Sequence, residues 1–102
     1  MFVKIATDGS LSLEDCDNFR AFSIQPAVAG IERQALAQIG AEAGDGHYWL
    51  DAEAVLALAE RRRDPAWSEA YWNMLKSVAA YGYYDESTNR VKAHVETGDD
   101  QD

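Results

Sequence analysis

Two histidines, two lysines and a tryptophan occupy positions that are typical of one face of a β-sheet. His47 and Trp49 are two positions apart in one predicted strand, and Lys92 and His94 are two positions apart in another. Lys4 lies in a third. Since successive side chains of a strand point to opposite faces, the five residues share one surface if the strands are neighbours. Imidazole titrates near neutral pH and flanking ammonium groups favour its neutral form, so the pattern predicts a small acid–base or anion-binding face.

The same pattern also has a simpler interpretation, because antiparallel sheets commonly leave one face in water. If the face is catalytic, the candidate base is His47 or His94, and Tyr48 is a candidate hydrogen-bond donor. Catalytic zinc requires three convergent protein ligands, whereas the chain has two histidines in all, and neither lies in a metal-binding spacing. We therefore predict no metal and no cofactor.

Aromatic residues are dense in the second half of the chain, and three of them form a second candidate surface. Trp72 follows Tyr71 by one position in a predicted helix, so it points about 100° away from the inward-facing side of that helix. Tyr83 and Tyr84 come just after the helix ends. Exposed aromatic side chains are typical of protein interfaces and ligand grooves. Trp72, Tyr83 and Tyr84 are accordingly predicted to form an interaction surface.

The charge balance is strongly acidic and limits the classes of partner. The 102 residues include 18 acidic and 9 basic residues, which give a formal net charge of −9. Such a field repels phosphate backbones, so we predict no nucleic-acid partner, while a basic protein would be attracted. A nucleic-acid mimic is a third possible reading, but the acidic residues are scattered. Residues 97–102 are predicted to be an acidic disordered tail.

Cysteine usage and hydropathy predict a cytoplasmic protein that does not enter a membrane. Cys16 is the one cysteine, so an internal disulfide is excluded, and its acidic neighbours raise a thiol pKa. The chain has neither a secretory signal pattern nor an apolar run long enough to cross a bilayer.

Hydrophobic periodicity predicts alternating strands and helices over residues 1–96, which we expect to form a single domain. Strands are expected over 2–7, 47–50 and 90–96, and helices over about 13–22, up to Gly40 from Pro26, over 52–62, and from Pro65 to Gly82. The predicted fold class is α+β: a small two-layer sandwich of about three short strands, covered on one face by three to four helices.

Two functions follow from these observations, and the first is favoured because the sequence contains no specific catalytic motif. The first is a non-catalytic interaction or regulatory module that forms a homodimer, or binds another protein, through its aromatic surface. The alternative is a small enzyme or small-molecule binder with a cleft lined by histidine and tyrosine.

Overall fold

Short strands and helices succeed one another along residues 1–96, the part of the chain that the computed structural model describes. The strands are β1 (Phe2–Ile5), β2 (Leu11–Glu14), β3 (Ser23–Pro26), β4 (Gly40–Gly44), β5 (His47–Asp51), β6 (Tyr84–Asp85) and β7 (Arg90–Val95). The α-helices are α1 (Glu32–Ala35), α2 (Ala52–Leu58) and α3 (Pro65–Ala79), and 3-10 helices cover Leu36–Gln38 and Glu60–Arg63. The predicted disordered tail, residues 97–102, lies outside the described residues.

The strands form one mixed sheet in the order β2-β1-β3-β7-β5-β4, with β6 also paired to β7. β1, β3 and β7 are parallel, and the remaining pairs are antiparallel. Because β5 runs along one edge of β7 from residue 90 to 94, β6 and β3 must share the other edge. β6 pairs there with Arg90 and Val91, and β3 pairs with His94 and Val95. The sheet therefore divides beside residues 92–93 of β7.

The predicted fold class is wrong in its sheet: residues 1–96 form seven strands instead of about three, with three α-helices. The predicted helix over 13–22 is absent from the described residues, and β2 occupies its start. Leu11 and Leu13 lie opposite Ile5 and Val3 in antiparallel register, which places both leucines on the core side. Asp15 has a φ of 54°, so the chain turns there and no helix can continue.

The predicted helix that ends at Gly40 is also mostly wrong. Its first residues belong to β3 and a turn, and Gly30 has a φ of +92°, which a right-handed helix does not contain. Only α1 and the following 3-10 helix remain. The next element is β4, which pairs with β5 through a bulge between Glu42 and Gly44.

Elements with long or strictly alternating patterns are confirmed. β1, β5 and β7 lie within a residue or two of the predicted strands, and α2 and α3 begin at the predicted residues 52 and 65, although α2 already ends at Leu58. Asp51 accepts hydrogen bonds from two backbone N–H groups of α2, and Asp64 does the same for α3, which begins at Pro65. These caps satisfy backbone donors that a helix start otherwise leaves without a partner.

One hydrophobic core lies between the helices and one face of the sheet. The buried hydrophobic strand residues all belong to one alternation, with Val3, Ile24, Leu50 and Val91 as examples. The buried residues of the helices belong to the same cluster. The side chains of the other alternation, which include Lys4 and His94, lie on the face that this core does not cover.

Tyr71 joins two helices in the middle of this core. Its side chain is fully buried, and its hydroxyl donates a hydrogen bond of 2.8 Å to the carbonyl oxygen of Ala52 at the start of α2. Burial raises the pKa of this hydroxyl well above its ordinary value, so it stays protonated.

The variant Tyr71→Phe removes that hydrogen bond and keeps the ring. We expect it to lower the free energy of unfolding by about 1 kcal/mol, the usual net value of such a bond. Urea denaturation measures the change, with Tyr81→Phe as the matched control because Tyr81 is 77% exposed. Equal stability of the two variants would contradict the role given to the Tyr71 hydroxyl.

Among residues 1–96, no helix has the length and apolar character needed to cross a membrane.

Candidate functional site

The pairing of β5 with β7 brings four of the predicted site residues together on the uncovered face of the sheet. His47 lies directly opposite His94, and Trp49 lies directly opposite Lys92. The two imidazole ring centroids are 6.1 Å apart. The Lys92 ammonium group lies 5.7 Å from the centroid of the Trp49 ring, a cation–π arrangement. The alternation predicted from the sequence is therefore confirmed for these four residues, which are neighbours on one face of the sheet.

Lys4 is on the same face of the sheet but not in this patch. It belongs to β1, and β3 lies between β1 and β7. Its direct neighbour is Gln25 of β3. The anion-binding face predicted from five residues is therefore reduced to four that are adjacent.

Hydrogen bonds determine which nitrogen of each histidine carries a proton. The Nδ1 of His47 lies 3.0 Å from the carbonyl oxygen of Asp45, and the Nε2 of His94 lies 2.6 Å from a carboxylate oxygen of Glu96. Because a carbonyl and a carboxylate oxygen only accept, His47 donates from Nδ1 and His94 donates from Nε2. The second nitrogen of each ring is then an acceptor when the ring is neutral and a donor when it is protonated.

Tyr48 is on the opposite face of the sheet from these histidines. Its side chain is 6% exposed and packs in the core, beside Glu42 and Arg33. Burial raises the pKa of its hydroxyl, and the Glu42 carboxylate raises it further. The structure therefore does not bring Tyr48 together with His47 and His94.

A cavity of about 400 Å³ opens where the sheet divides beside β7. One wall is formed by the segment before β3, another by the C-terminal half of α3, and the floor by β7 with His47 of β5. The apolar lining side chains are Phe19, Phe22, Met74, Val78, Tyr83 and Val91. The polar ones are Arg20, His47, Lys92 and His94.

The charge of this lining is opposite to that of the protein as a whole. Among the described residues the cavity is lined by two fixed cations, Arg20 and Lys92, and by two imidazoles, but by no carboxylate. The chain has twice as many acidic as basic residues. Glu96 does not line the cavity, but its carboxylate lies 2.6 Å from the Nε2 of His94. A cavity with apolar side chains and cationic groups in its lining is suited to a molecule with an apolar body and an acidic group.

The three aromatic residues of the predicted interaction surface have different environments in the structure. Trp72 is half-buried, packs on the core and meets the edge of Tyr71 at a centroid distance of 5.2 Å. Tyr83 is 46% exposed and lines the cavity. Tyr84 is half-buried in β6, and its hydroxyl lies 2.6 Å from the side-chain oxygen of Asn89.

Helical geometry separates Trp72 further from the cavity. The buried stripe of α3 contains Trp67, Tyr71 and Leu75. With about 100° per residue, Trp72 projects on one side of that stripe and Met74 on the other. Trp72 thus does not line the cavity, and it is not the exposed ring that the sequence predicts.

Sequence reasoning missed half of the cavity. Phe19, Arg20 and Phe22 lie in the segment 13–22 that the sequence predicts to be a helix, and none of them is a predicted site residue. Met74 and Val78 lie in the predicted helix from Pro65 to Gly82 and are not predicted site residues, but both line the cavity. The spacing of the aromatic residues at 19 and 22 was the one sequence feature that could have indicated an apolar wall. Nothing in the sequence indicated that the sheet divides next to them.

Within residues 1–96, no group of three histidine, cysteine, aspartate or glutamate side chains is arranged to hold a metal ion. Burial raises the pKa of the Cys16 thiol, so the thiol is not activated.

Comparisons of the chain with models of protein families, with characterised proteins and with solved structures found no match.

Proposed function

We propose that this protein binds a small organic anion whose apolar, preferably aromatic, body enters the cavity beside β7. The observation that supports the proposal is the lining itself: aromatic and aliphatic side chains together with Arg20, Lys92 and two imidazoles, in a chain of net charge −9. This is the small-molecule-binding alternative of the sequence analysis, which requires the two histidines to share one concave pocket.

The apolar side chains that line the cavity are suited to contact the apolar body of such a ligand. A cavity of about 400 Å³ lies within the range of small-molecule sites, which run from about 300 to 1,000 Å³. Phe19 and Phe22 belong to the segment before β3, while Met74 and Val78 belong to α3, so a ring between them contacts two separate parts of the chain. Burial of a ring removes apolar area from water and supplies most of the affinity.

The polar side chains of the lining account for the preference for an anion. Each fixed cation contributes modestly, because ion pairs near solvent are worth about 0–1 kcal/mol. Arg20 and Lys92 also donate hydrogen bonds to an acidic group, as does an imidazole when it is protonated. The net −9 charge of the chain opposes entry of any anion, so these local cations are needed for binding.

The interaction-module hypothesis has less support. Trp72 is largely packed on the core, and the exposure of Tyr83 is explained by its place in the cavity wall. Tyr81 remains an exposed aromatic side chain after α3, but a single exposed side chain requires no partner.

Cinnamate and its neutral amide, cinnamamide, test the proposal by isothermal titration. Both present the same ring, so we expect both to bind the wild-type protein and cinnamate to bind about tenfold more tightly. Lys92→Met is expected to remove most of this preference, since one ion pair of about 1 kcal/mol corresponds to roughly fivefold.

Lys4→Met is the matched control, because Lys4 lies on the same face of the sheet but outside the cavity lining. It changes the net charge of the protein by the same amount as Lys92→Met. Equal binding of acid and amide, or an equal effect of the two lysine variants, would contradict an anion site in this cavity.

A further inference from the structure

His94 and Glu96 form a histidine–carboxylate pair beside the cavity. The Nε2 of His94 lies 2.6 Å from a carboxylate oxygen of Glu96, and His94 belongs to the cavity lining. The backbone fixes both residues. The N–H of Val95 donates a 2.8 Å hydrogen bond to the carbonyl oxygen of Gly46. On the other edge of the strand, the N–H of Glu96 donates a 2.7 Å bond to the carbonyl oxygen of Ile24.

This pairing leaves the other ring nitrogen of His94 as an acceptor. Because a carboxylate only accepts, Nε2 carries the proton, and Nδ1 of the neutral ring has a lone pair. No hydrogen bond within residues 1–96 occupies Nδ1. A carboxylate that holds one nitrogen fixes the tautomer and stabilises the imidazolium that forms when the other nitrogen takes a proton. The pair thus has the chemistry of a general base.

The partner of His47 is of a different kind. Its Nδ1 lies 3.0 Å from the carbonyl oxygen of Asp45, which is uncharged. A backbone carbonyl also fixes a tautomer, but it stabilises an imidazolium less than a carboxylate does, because charge-assisted hydrogen bonds are the stronger ones. Of the two histidines in the lining, His94 is therefore the better suited to accept a proton.

We infer that His94, positioned by Glu96, is the general base for hydrolysis of an aromatic ester bound in the cavity. This inference rests on the proposed function and adds a reaction whose acidic product is the ligand. Nδ1 of His94 takes a proton from a water molecule while the water oxygen bonds to the ester carbonyl carbon. The tetrahedral intermediate then breaks its bond to the alcohol oxygen, which receives the proton from Nδ1. One water is consumed, one carboxylic acid and one alcohol are formed, and His94 is neutral again.

Hydrolysis of 4-nitrophenyl cinnamate by the full chain tests the inference through the release of 4-nitrophenol. We expect saturable hydrolysis that cinnamate inhibits, with an inhibition constant equal to its dissociation constant in calorimetry. His94→Gln is expected to lower kcat about a hundredfold, the lower end of the usual contribution of a general base. His94 is exposed, so this variant is expected to fold, and its binding of cinnamamide verifies that the cavity is intact.

Glu96→Gln separates a positioning role from a merely structural one. The amide has the same size but no charge, so it stabilises the imidazolium less. We expect kcat to fall about tenfold with KM unchanged, because a charge-assisted hydrogen bond is about twice as strong as a neutral one. Glu69→Gln is the matched control: Glu69 is exposed on α3 outside the cavity lining, and its loss is expected to leave kcat unchanged.

Ser23 distinguishes attack by water from attack by a side chain. It lies directly opposite His94 in the pairing of β3 with β7, but within residues 1–96 the hydrogen bond of the His94 ring goes to Glu96. We expect Ser23→Ala to hydrolyse the ester as fast as the wild type. Loss of activity in this variant would overturn attack by water.

Equal rates of the wild type and His94→Gln would overturn the inference, as would hydrolysis that cinnamate does not inhibit. An equal fall of kcat in Glu96→Gln and Glu69→Gln would overturn the role of Glu96. Binding of cinnamate without catalysed hydrolysis would overturn the reaction alone, whereas absence of both would overturn the proposed function as well.

Discussion

Val78→Trp is expected to weaken cinnamate binding at least tenfold, equivalent to about 1.4 kcal/mol or more. Val78 is half-buried on α3 and lines the cavity. An indole at this position extends from the helix into the space that the ligand ring is expected to occupy. Because Val78 is not one of the buried core residues, the larger side chain does not displace them, and the variant is expected to fold.

Val28→Trp is the matched control for this substitution. Val28 is 52% exposed and lies in the turn after β3, outside the cavity lining. The same change of side chain there should leave the cinnamate affinity within about twofold of wild type, well under the 1.4 kcal/mol of a tenfold change. If the two tryptophan variants bound cinnamate equally well, the ligand would not be in the cavity beside β7.

Gly40→Ala is expected to destabilise the fold by about 2–3 kcal/mol, the largest stability change that we predict. Gly40 begins β4 opposite Leu50 of β5. A methyl group at this position would overlap the carbonyl oxygen of Trp49 and contact the backbone of Leu50. Backbone atoms of a paired strand cannot rotate away as a side-chain tip can, so the two strands must separate. Urea denaturation measures the loss.

Gly44→Ala, at the other end of β4, distinguishes this overlap from a general cost of replacing glycine. Its φ is +93°, which costs an alanine about 1–2 kcal/mol, but an added methyl meets no atom there within 4 Å. We expect a smaller loss of stability at Gly44 than at Gly40. A smaller effect at Gly40 would mean that β4 and β5 do not approach as closely as described.

Local sequence patterns were sufficient for elements that are long or strongly periodic. α3 repeats its buried residues at Trp67, Tyr71 and Leu75, and it begins at an aspartate followed by proline. β7 alternates over six residues. Such elements carry several independent signals that agree, so their type and position are predictable without knowledge of their partners.

The missed strands depend on partners that are distant in sequence. β3 acquires its hydrogen bonds from β1 and from β7, whose pairing residues are about 70 positions further along the chain. β6 is two residues long and exists because it pairs with β7. A segment of two to four residues shows no period of its own, so only the assembled sheet identifies it as a strand.

The site residues divide in the same way, into those that local patterns predict and those that depend on distant strand pairing. The patch of His47, Trp49, Lys92 and His94 depends only on alternation within β5 and β7 and on their being neighbours, and the structure makes them neighbours. The cavity depends on where β3 and β6 stop along a shared edge. No local sequence pattern indicates where these two strands end. The sequence therefore could not predict that the cavity beside the histidines is also lined by Phe19, Arg20 and Val78.

Methyl NMR of the two methionines tests the binding proposal most directly. Met74 lines the cavity, whereas Met1 is 2% exposed in the core and does not line it, so a protein labelled at the methionine methyl groups carries its own reference. On titration with cinnamate, the account predicts that the Met74 methyl resonance shifts in a saturable way and that the Met1 resonance stays in place. A saturable binding curve in calorimetry without any shift of the Met74 resonance would contradict it.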